Sequence, residues 1–157
     1  SDLTDVIYVI NGDGVAAAEL KAAAASLPNL VMVGYQSADR LSEVLASADL
    51  HLVLLRKGLG ASSVPSKMYS ILAAGRPIVA SIDPDSEVTR VLGEVQAGLS
   101  VPPEDPEAFV AAVEQLLDDP QLRQEMGQAG RNWVKQWPTA TQIAQKYQEL
   151  AKGLAKG

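Results

Sequence analysis

The chain contains no cysteine and a single histidine, His51. Disulfides and thiolate metal sites are therefore excluded, and no second His or Cys is available to complete a metal site. No apolar run approaches the roughly 20 residues that cross a bilayer, and the first residues show no signal-peptide pattern. An excess of positive charge is also missing. The formal net charge is −6, whereas a nucleic-acid binder carries a basic face, so no nucleic-acid partner is expected. An acidic domain can still hold a small anion where cations and helix termini are local. No Ser/His/Asp or Cys/His arrangement, internal repeat, low-complexity tract or flexible linker is apparent.

What is present is a β/α rhythm. With 157 residues, 47% of them apolar, the chain is long enough for one domain with a real core. Short apolar runs of strand length occur at VIYVI (6–10), LVMV (30–33), LHLVLL (50–55), PIVAS (77–81) and GLSV (98–101). Helical patterns lie between them at 15–26, 38–48, 65–74 and 85–96. In the last of these Val88, Val91, Leu92 and Val95 share one face, with Gly98 as a C-terminal stop. The alternation predicts an α/β fold, a parallel sheet with helices on both faces.

After residue 102 only helices are predicted. Asp105-Pro106 and Asp119-Pro120 each supply a cap and a first-turn proline. The stripes are Phe109, Val113, Leu116 and Leu117, then Leu122, Met126, Ala129 and Trp133. Thr139 with Gln142 forms a capping box for the last helix, whose apolar face is Ile143, Tyr147, Leu150 and Leu154. The chain opens almost directly on a strand. Doubly wound sheets bind ligands at the carboxyl ends of their strands, in a crevice that something else closes; no second wall is evident in this sequence.

The turn NGDG (11–14) is either a tight strand-to-helix turn or a ligand-facing loop; it lacks the third glycine of a dinucleotide fingerprint, since position 17 is Ala. The stretch 56–67 is richer. Arg56 and Lys57 end the third strand, Gly58 and Gly60 make the loop permissive, and Ser62 and Ser63 add hydroxyls. Pro65 suits a first helical turn, with Val64 or Ser63 as cap, so that the amides of Ser66 and Lys67 point out of the helix start beside an ammonium. This is either an anion site or a solvated loop with an ordinary cap. Ser66 and Ser70, four apart, share a face. Gly75 stops the helix and Pro77 opens the next strand. Asp83, Asp85 and Glu87 cluster after the fourth strand, where Asp85 is a capping candidate and a ligand-facing role for Asp83 to Ser86 is the alternative. His51 reads as a core or sheet-end residue. Trp133 and Trp137, four apart on one helix, read as packing residues.

The ordered set NGDG, LVMVGYQSADRL, ASADLHLVLL, VPSKMYSILAAGRPIVAS, EVQAGLSVPPEDPEAF and LLDDPQLRQEMGQAGR resembles the C-terminal half of a family 4 (group 1) glycosyltransferase with the GT-B fold. The resemblance runs from about residue 5 to residue 150. It implies a Rossmann-like, nucleotide-sugar donor-binding domain over 1–157, no cofactor and no metal. Its partners would be a nucleoside diphosphate sugar and an acceptor domain in the same full-length chain. The implied activity is retaining transfer of a sugar to a glycan or lipid-linked acceptor, in the cytoplasm or peripherally at the inner membrane face. The loop 58–64 would approach the donor sugar and diphosphate, Ser66 and Lys67 the phosphates or ribose, and the segment 33–36, with Gly34 and Tyr35, the base.

The sequence departs from the family pattern twice. Two glutamates with seven residues between them precede the Ala-Ala-Gly in most members; here those positions hold Ser62 and Ser70. The Pro-Ser-Lys form is similar to a subgroup linked to surface polysaccharide synthesis. Catalytic roles of the two glutamates do not carry over, and the catalytic residues are left unassigned. Members also begin this domain with a strand and a Gly-Arg…Lys-Gly segment, so the chain is expected to be an inactive fragment lacking its first strand–helix unit and acceptor domain. An exposed sheet edge would then favour self-association. A sugar-nucleotide epimerase-type domain and a noncatalytic binding module are the rival readings.

Overall fold

A computed structural model describes residues 5–60 and 65–154. Strand β1 (Tyr8–Asn11), helix α1 (Ala17–Ala24) and strand β2 (Leu30–Val33) form the first unit. A 3-10 turn (Ala38–Arg40) leads into α2 (Leu41–Ala46). Then follow β3 (His51–Leu54), α3 (Lys67–Ala74), β4 (Ile78–Ser81), α4 (Glu87–Val95) and β5 (Gly98–Val101). Helices α5 (Pro106–Asp118), α6 (Pro120–Lys135) and α7 (Ala140–Leu154) complete the order.

The α/β class is as expected and every strand pairing is parallel, but the strands form two ladders rather than one. One is β1-β2, with Tyr8 opposite Leu30. The other is β3-β4-β5, with His51 opposite Ile78 and Ile78 opposite Gly98. In both ladders β1 and β3 have a neighbour on one side only. The doubly wound order 3-2-1-4-5-6 yields this same partition, 3-2 and 4-5-6, when strand 1 is taken out.

The core sits in the second ladder. Side chains alternate along a strand, so Ile78 and Ala80 join Met68, Ile71, Leu72, Val88, Val91 and Leu92 on one face. Val79 joins Ala112, Val113, Leu116 and Met126 on the other. Helices α3 and α4 thus cover one face and α5 the other. In the first ladder α1 buries no residue, and Val9 and Val31 are exposed.

Local chemistry fixes the helix ends. Asp105 accepts from the Ala108 amide and Asp119 from the Leu122 amide, both at 2.9 Å. The guanidinium of Arg123 donates to the carbonyls of Leu116 and Leu117, which α5 leaves unpaired at its end. The Thr139 amide donates to Gln142 Oε1 (2.8 Å) and the Gln142 amide to Thr139 Oγ1 (3.3 Å), the predicted capping box. The apolar stripe of α7 is exposed at Ile143, Tyr147 and Leu150. Helix α4 is stopped by Gln96 in the left-handed region (φ 58°) and capped by Ser86, not by Gly98 and Asp85. Glycine is needed at 98 for another reason: a Cβ there would lie 2.1 Å from the Ile78 carbonyl oxygen.

Helix α6 also approaches its neighbours closely. A Cβ on Gly127 would lie 2.2 Å from the Gly75 carbonyl oxygen, and one on Gly130 2.8 Å from Leu72. Tyr69 of α3 packs there on Trp133 and Trp137, with ring centroids 6.4 and 5.0 Å away. The two tryptophans are packing residues, as expected, although Trp137 lies just past the end of α6. His51 is likewise structural: its Nε2–H donates to the Leu45 carbonyl (2.8 Å), and Arg76 donates to that of Ala46. The last carbonyls of α2 are thereby satisfied.

Two predictions follow from this packing. Gly127→Ala should destabilise the protein by about 1–3 kcal/mol, because backbone meets backbone and neither can yield. Gly93→Ala, in exposed α4 with nothing within 4 Å of the added atom, should stabilise it by about 0.5–1 kcal/mol through helix propensity. Urea unfolding of the two variants checks the opposite signs. Burial lowers the His51 pKa; the bond to Leu45 pulls it back up and the Arg76 charge pushes it down. As pH falls, the unfolded chain therefore takes up this proton first. The stabilisation from neutral His51 is complete above about pH 6.5 and is lost as pH drops through the folded value. His51→Asn should flatten that part of a urea-midpoint profile between about pH 7 and 5.

Candidate functional site at the carboxyl ends of the strands

Parallel strands send all their carboxyl ends to one edge of a ladder, and each is followed here by a polar, glycine-containing or capping loop. After β3, the Leu55 amide still donates to Ser81 O (2.9 Å). Arg56 and Lys57 are then exposed. The Leu59 amide donates to Arg56 O (3.2 Å), closing a turn in which Gly58 adopts φ 83°. That backbone conformation favours glycine. Gly60 is buried.

The carboxylate of Asp83, just beyond β4, occupies this turn. It accepts from the Gly58 amide through Oδ2 (2.9 Å) and Oδ1 (3.1 Å), and from the Gly60 amide through Oδ2 (2.9 Å). These amide bonds hold the Asp83 pKa below its usual value, with Lys57 adding a smaller electrostatic pull. The Asp83 carbonyl accepts from the Ser86 amide and from Thr89 Oγ1, both at 3.1 Å. Ser86 Oγ in turn accepts from the Thr89 amide (3.2 Å). The acidic cluster predicted after β4 is thus divided. Asp83 grips the neighbouring loop, Glu87 pairs with Arg90 at 2.6 Å, and Asp85 is exposed.

Helix α3 starts beside this turn in the chain. Pro65 O accepts from the Met68 amide (2.9 Å). Ser66 is the N-cap residue with helical φ and ψ, and its side chain makes no capping bond among the described residues. Ser66 and Lys67 are exposed, Ser70 is half-buried, and Met68, Ile71 and Leu72 point into the core. Lys67 makes no ion pair among the described residues. Gly75, at φ 75°, ends the helix as expected. Ser62 and Ser63, and the alternative cap Val64, lie outside the described residues.

The structure therefore brings Gly58, Gly60, Pro65, Ser66, Lys67 and Ser70 to the β3–α3 connection. Gly34 and Tyr35 belong to the other ladder, after β2. Tyr35 is 78% exposed there, beside a Gly34 carbonyl that accepts from Gln36 Nε2 (3.1 Å). The Gly12 amide donates to Val33 O (2.9 Å), so the NGDG turn is stitched to the end of β2. Among the described residues no group of three His, Asp or Glu side chains could hold a metal ion, and no helix is long and apolar enough to cross a membrane. A shallow groove of about 850 Å³ runs along α6, lined by Gln121, Gln124, Glu125, Gln128 and Asn132. It is remote from the strand ends in the chain, and its Gln121–Glu125 and Gln128–Asn132 pairs bond to each other. The residue sequence reasoning passed over is Asp83 as a partner of two loop amides. The signal lay in two glycines in the turn after one strand and an acid two residues beyond the end of the next.

Solved glycosyltransferases share this architecture. The chain superposes on TarM with a TM-score of 0.73 at 17% identity, covering 94% of this chain and 29% of that one. For the sucrose-phosphate synthase of Thermosynechococcus elongatus the TM-score is 0.73 at 20% identity, covering 94% and 38%. In sequence, the chain is 34% identical over 116 residues to the putative colanic acid biosynthesis glycosyl transferase WcaI of Escherichia coli (strain K12), covering 71% of this chain and 28% of WcaI. It is 35% identical over 74 residues to the probable glycosyltransferase WbjE of Pseudomonas aeruginosa, covering 47% and 18%. The chain thus spans less than a third of the length of these curated relatives. The family model described as glycosyl transferases group 1 matches residues 2–133, and the chain belongs to that family.

Proposed function

We propose that this chain is the donor-binding part of a retaining glycosyltransferase that moves a sugar from a nucleoside diphosphate sugar to a glycan or lipid-linked acceptor. The observation that carries the proposal is the start of α3. The start of α3, where the Ser66 side chain makes no capping bond, and an exposed Lys67 that forms no ion pair among the described residues stand at the carboxyl-end edge of the β3-β4-β5 ladder. Free amides and an ammonium at that edge suit a diphosphate. A surface polysaccharide as product is supported by the likeness to WcaI, whose name refers to colanic acid biosynthesis. UDP is present in a TarM complex on which this chain also superposes, with a TM-score of 0.71. Retention of configuration rests on the family resemblance. Catalysis would come from orienting the donor and stabilising the departing diphosphate with amides and cations.

The donor-binding part would work within a larger protein. On the doubly wound order, one further parallel strand, the central one, would fill a lane between β1 and β3, each of which pairs on one side only among the described residues. The exposed stripe Ile143, Tyr147 and Leu150 on α7 supports a second covering element, for which an acceptor domain is the reading. If the lane is left open, pairing of its edges between copies is the route to self-association.

Calorimetric titration with UDP tests the site. Lys67→Ala should weaken UDP binding by about 10- to 100-fold, the loss of one charge-assisted contact. Its melting temperature should be unchanged, because Lys67 is exposed. Ser70→Ala removes at most one neutral hydrogen bond and should cost about tenfold or less. Equal UDP affinity in wild type and Lys67→Ala would place the diphosphate elsewhere.

A further inference from the structure

The donor-binding reading leaves the carboxylate of Asp83 without a task, yet it is among the most constrained groups at the site. An acid just beyond a strand is ordinarily hydrated. Here it makes three N–H···O contacts, of 2.9–3.1 Å, to two amides that lie 25 and 23 residues earlier in the chain. Its own backbone is held from behind, since the Asp83 carbonyl takes bonds from Ser86 and Thr89 at the capped start of α4. The partner loop is shaped to fit. A Cβ on Gly60 would lie 2.9 Å from both Asp83 Cβ and Oδ2 and 3.1 Å from Ser86 Cβ. Glycine at 60 and aspartate at 83 are therefore a matched pair: a side chain at 60 would push the carboxylate off its amides.

Successive amides in a turn form a concave seat for an anion. In this protein the seat is already filled by the protein's own anion. We infer that Asp83 is a positioning residue for the donor: its carboxylate locks the turn at 58–60, which precedes α3 in the chain, and by filling that turn's amides leaves the α3 amides and Lys67 for the diphosphate. Asp83 itself touches no donor in this arrangement. The inference rests on the donor-binding reading of the preceding section. It adds that the β4–α4 loop governs the geometry of the β3–α3 loop.

The test compares Asp83→Ala and Asp83→Asn with the wild-type protein in two measurements. Amide hydrogen exchange without nucleotide should quicken at Gly58 and Gly60 by roughly tenfold or more in Asp83→Ala, the loss expected for charge-assisted bonds. Exchange within β4 should stay unchanged. Asp83→Asn keeps one acceptor oxygen and should fall between the two. UDP affinity should follow the same order: wild type, then Asn, then Ala. Unchanged exchange at Gly58 and Gly60 in Asp83→Ala overturns the lock. Faster exchange with equal or tighter UDP binding overturns the positioning role, since it would show Asp83 acting only as a repulsive charge beside the diphosphate. A wild-type protein that shows protected Gly58 and Gly60 amides but binds no nucleoside diphosphate defeats the donor-binding reading, and the positioning role with it. If Asp83→Ala does not fold, Gly60→Ala replaces it, with the same expected exchange and the same affinity loss.

Discussion

Strand β4 is hydrogen-bonded along both edges and covered on both faces, and each of its residues is buried. Such a strand tolerates no polar side chain without a partner. Its one hydroxyl, Ser81 Oγ, lies 3.5 Å from the Pro102 carbonyl. The rest of the β3-β4-β5 ladder and the helices packed on it take their position from this strand. At its amino end the Gly75 turn receives the backbone of α6, and Gly98 of β5 passes too close to Ile78 for any side chain. At its carboxyl end Asp83 reaches the loop after β3. A shift of β4 would therefore be felt at the helix packing and at the site together.

The site is held by short-range chemistry more than by depth. Helix α3 is anchored through Met68, Ile71 and Leu72, which bury its inner face, so its outer first turn is presented rigidly although its residues are exposed. The loop before it is held by backbone amides on a carboxylate. Neither device needs a deep cavity, and both leave the surface open toward whatever closes the crevice. On the proposed function, openness on that side is where donor and acceptor would meet.

Features governed by local rules were legible in the sequence. Strands at 30–33 and 98–101, proline-led helices behind Asp105 and Asp119, the Thr139–Gln142 box and the Gly75 stop all depend on residues within a turn of one another. The glycines at 58 and 60 were legible for the same reason, whereas α3, expected to begin at Pro65, begins at Lys67 after Ser66. Features that depend on distant pairings were not. The split of the sheet turns on which strands meet, and periodicity does not encode that. Gly127 and Gly130 cost helix propensity in α6, and only the approach of Gly75 and Leu72 accounts for them. Gly98 was misread as a helix stop because glycine serves both in left-handed turns and in close contacts. Asp83 was assigned to an acidic cluster by its neighbours in sequence, while its bonding partners lie more than twenty positions away.

The division into two ladders also sets two strengths of structure within one chain. The β3–α6 portion carries every fully buried hydrophobic residue among those described, whereas α1 buries none and β1 alternates half-buried and exposed residues. Local opening free energies follow buried apolar contact. The region holding Gly34 and Tyr35 should thus open far more readily than the region holding Lys67. A ligand touching both would find one rigid wall and one compliant wall. Most of the ordering cost of binding would then fall on the compliant side, so that affinity would be tuned by stiffening β1 and β2 without altering any contact to the phosphates.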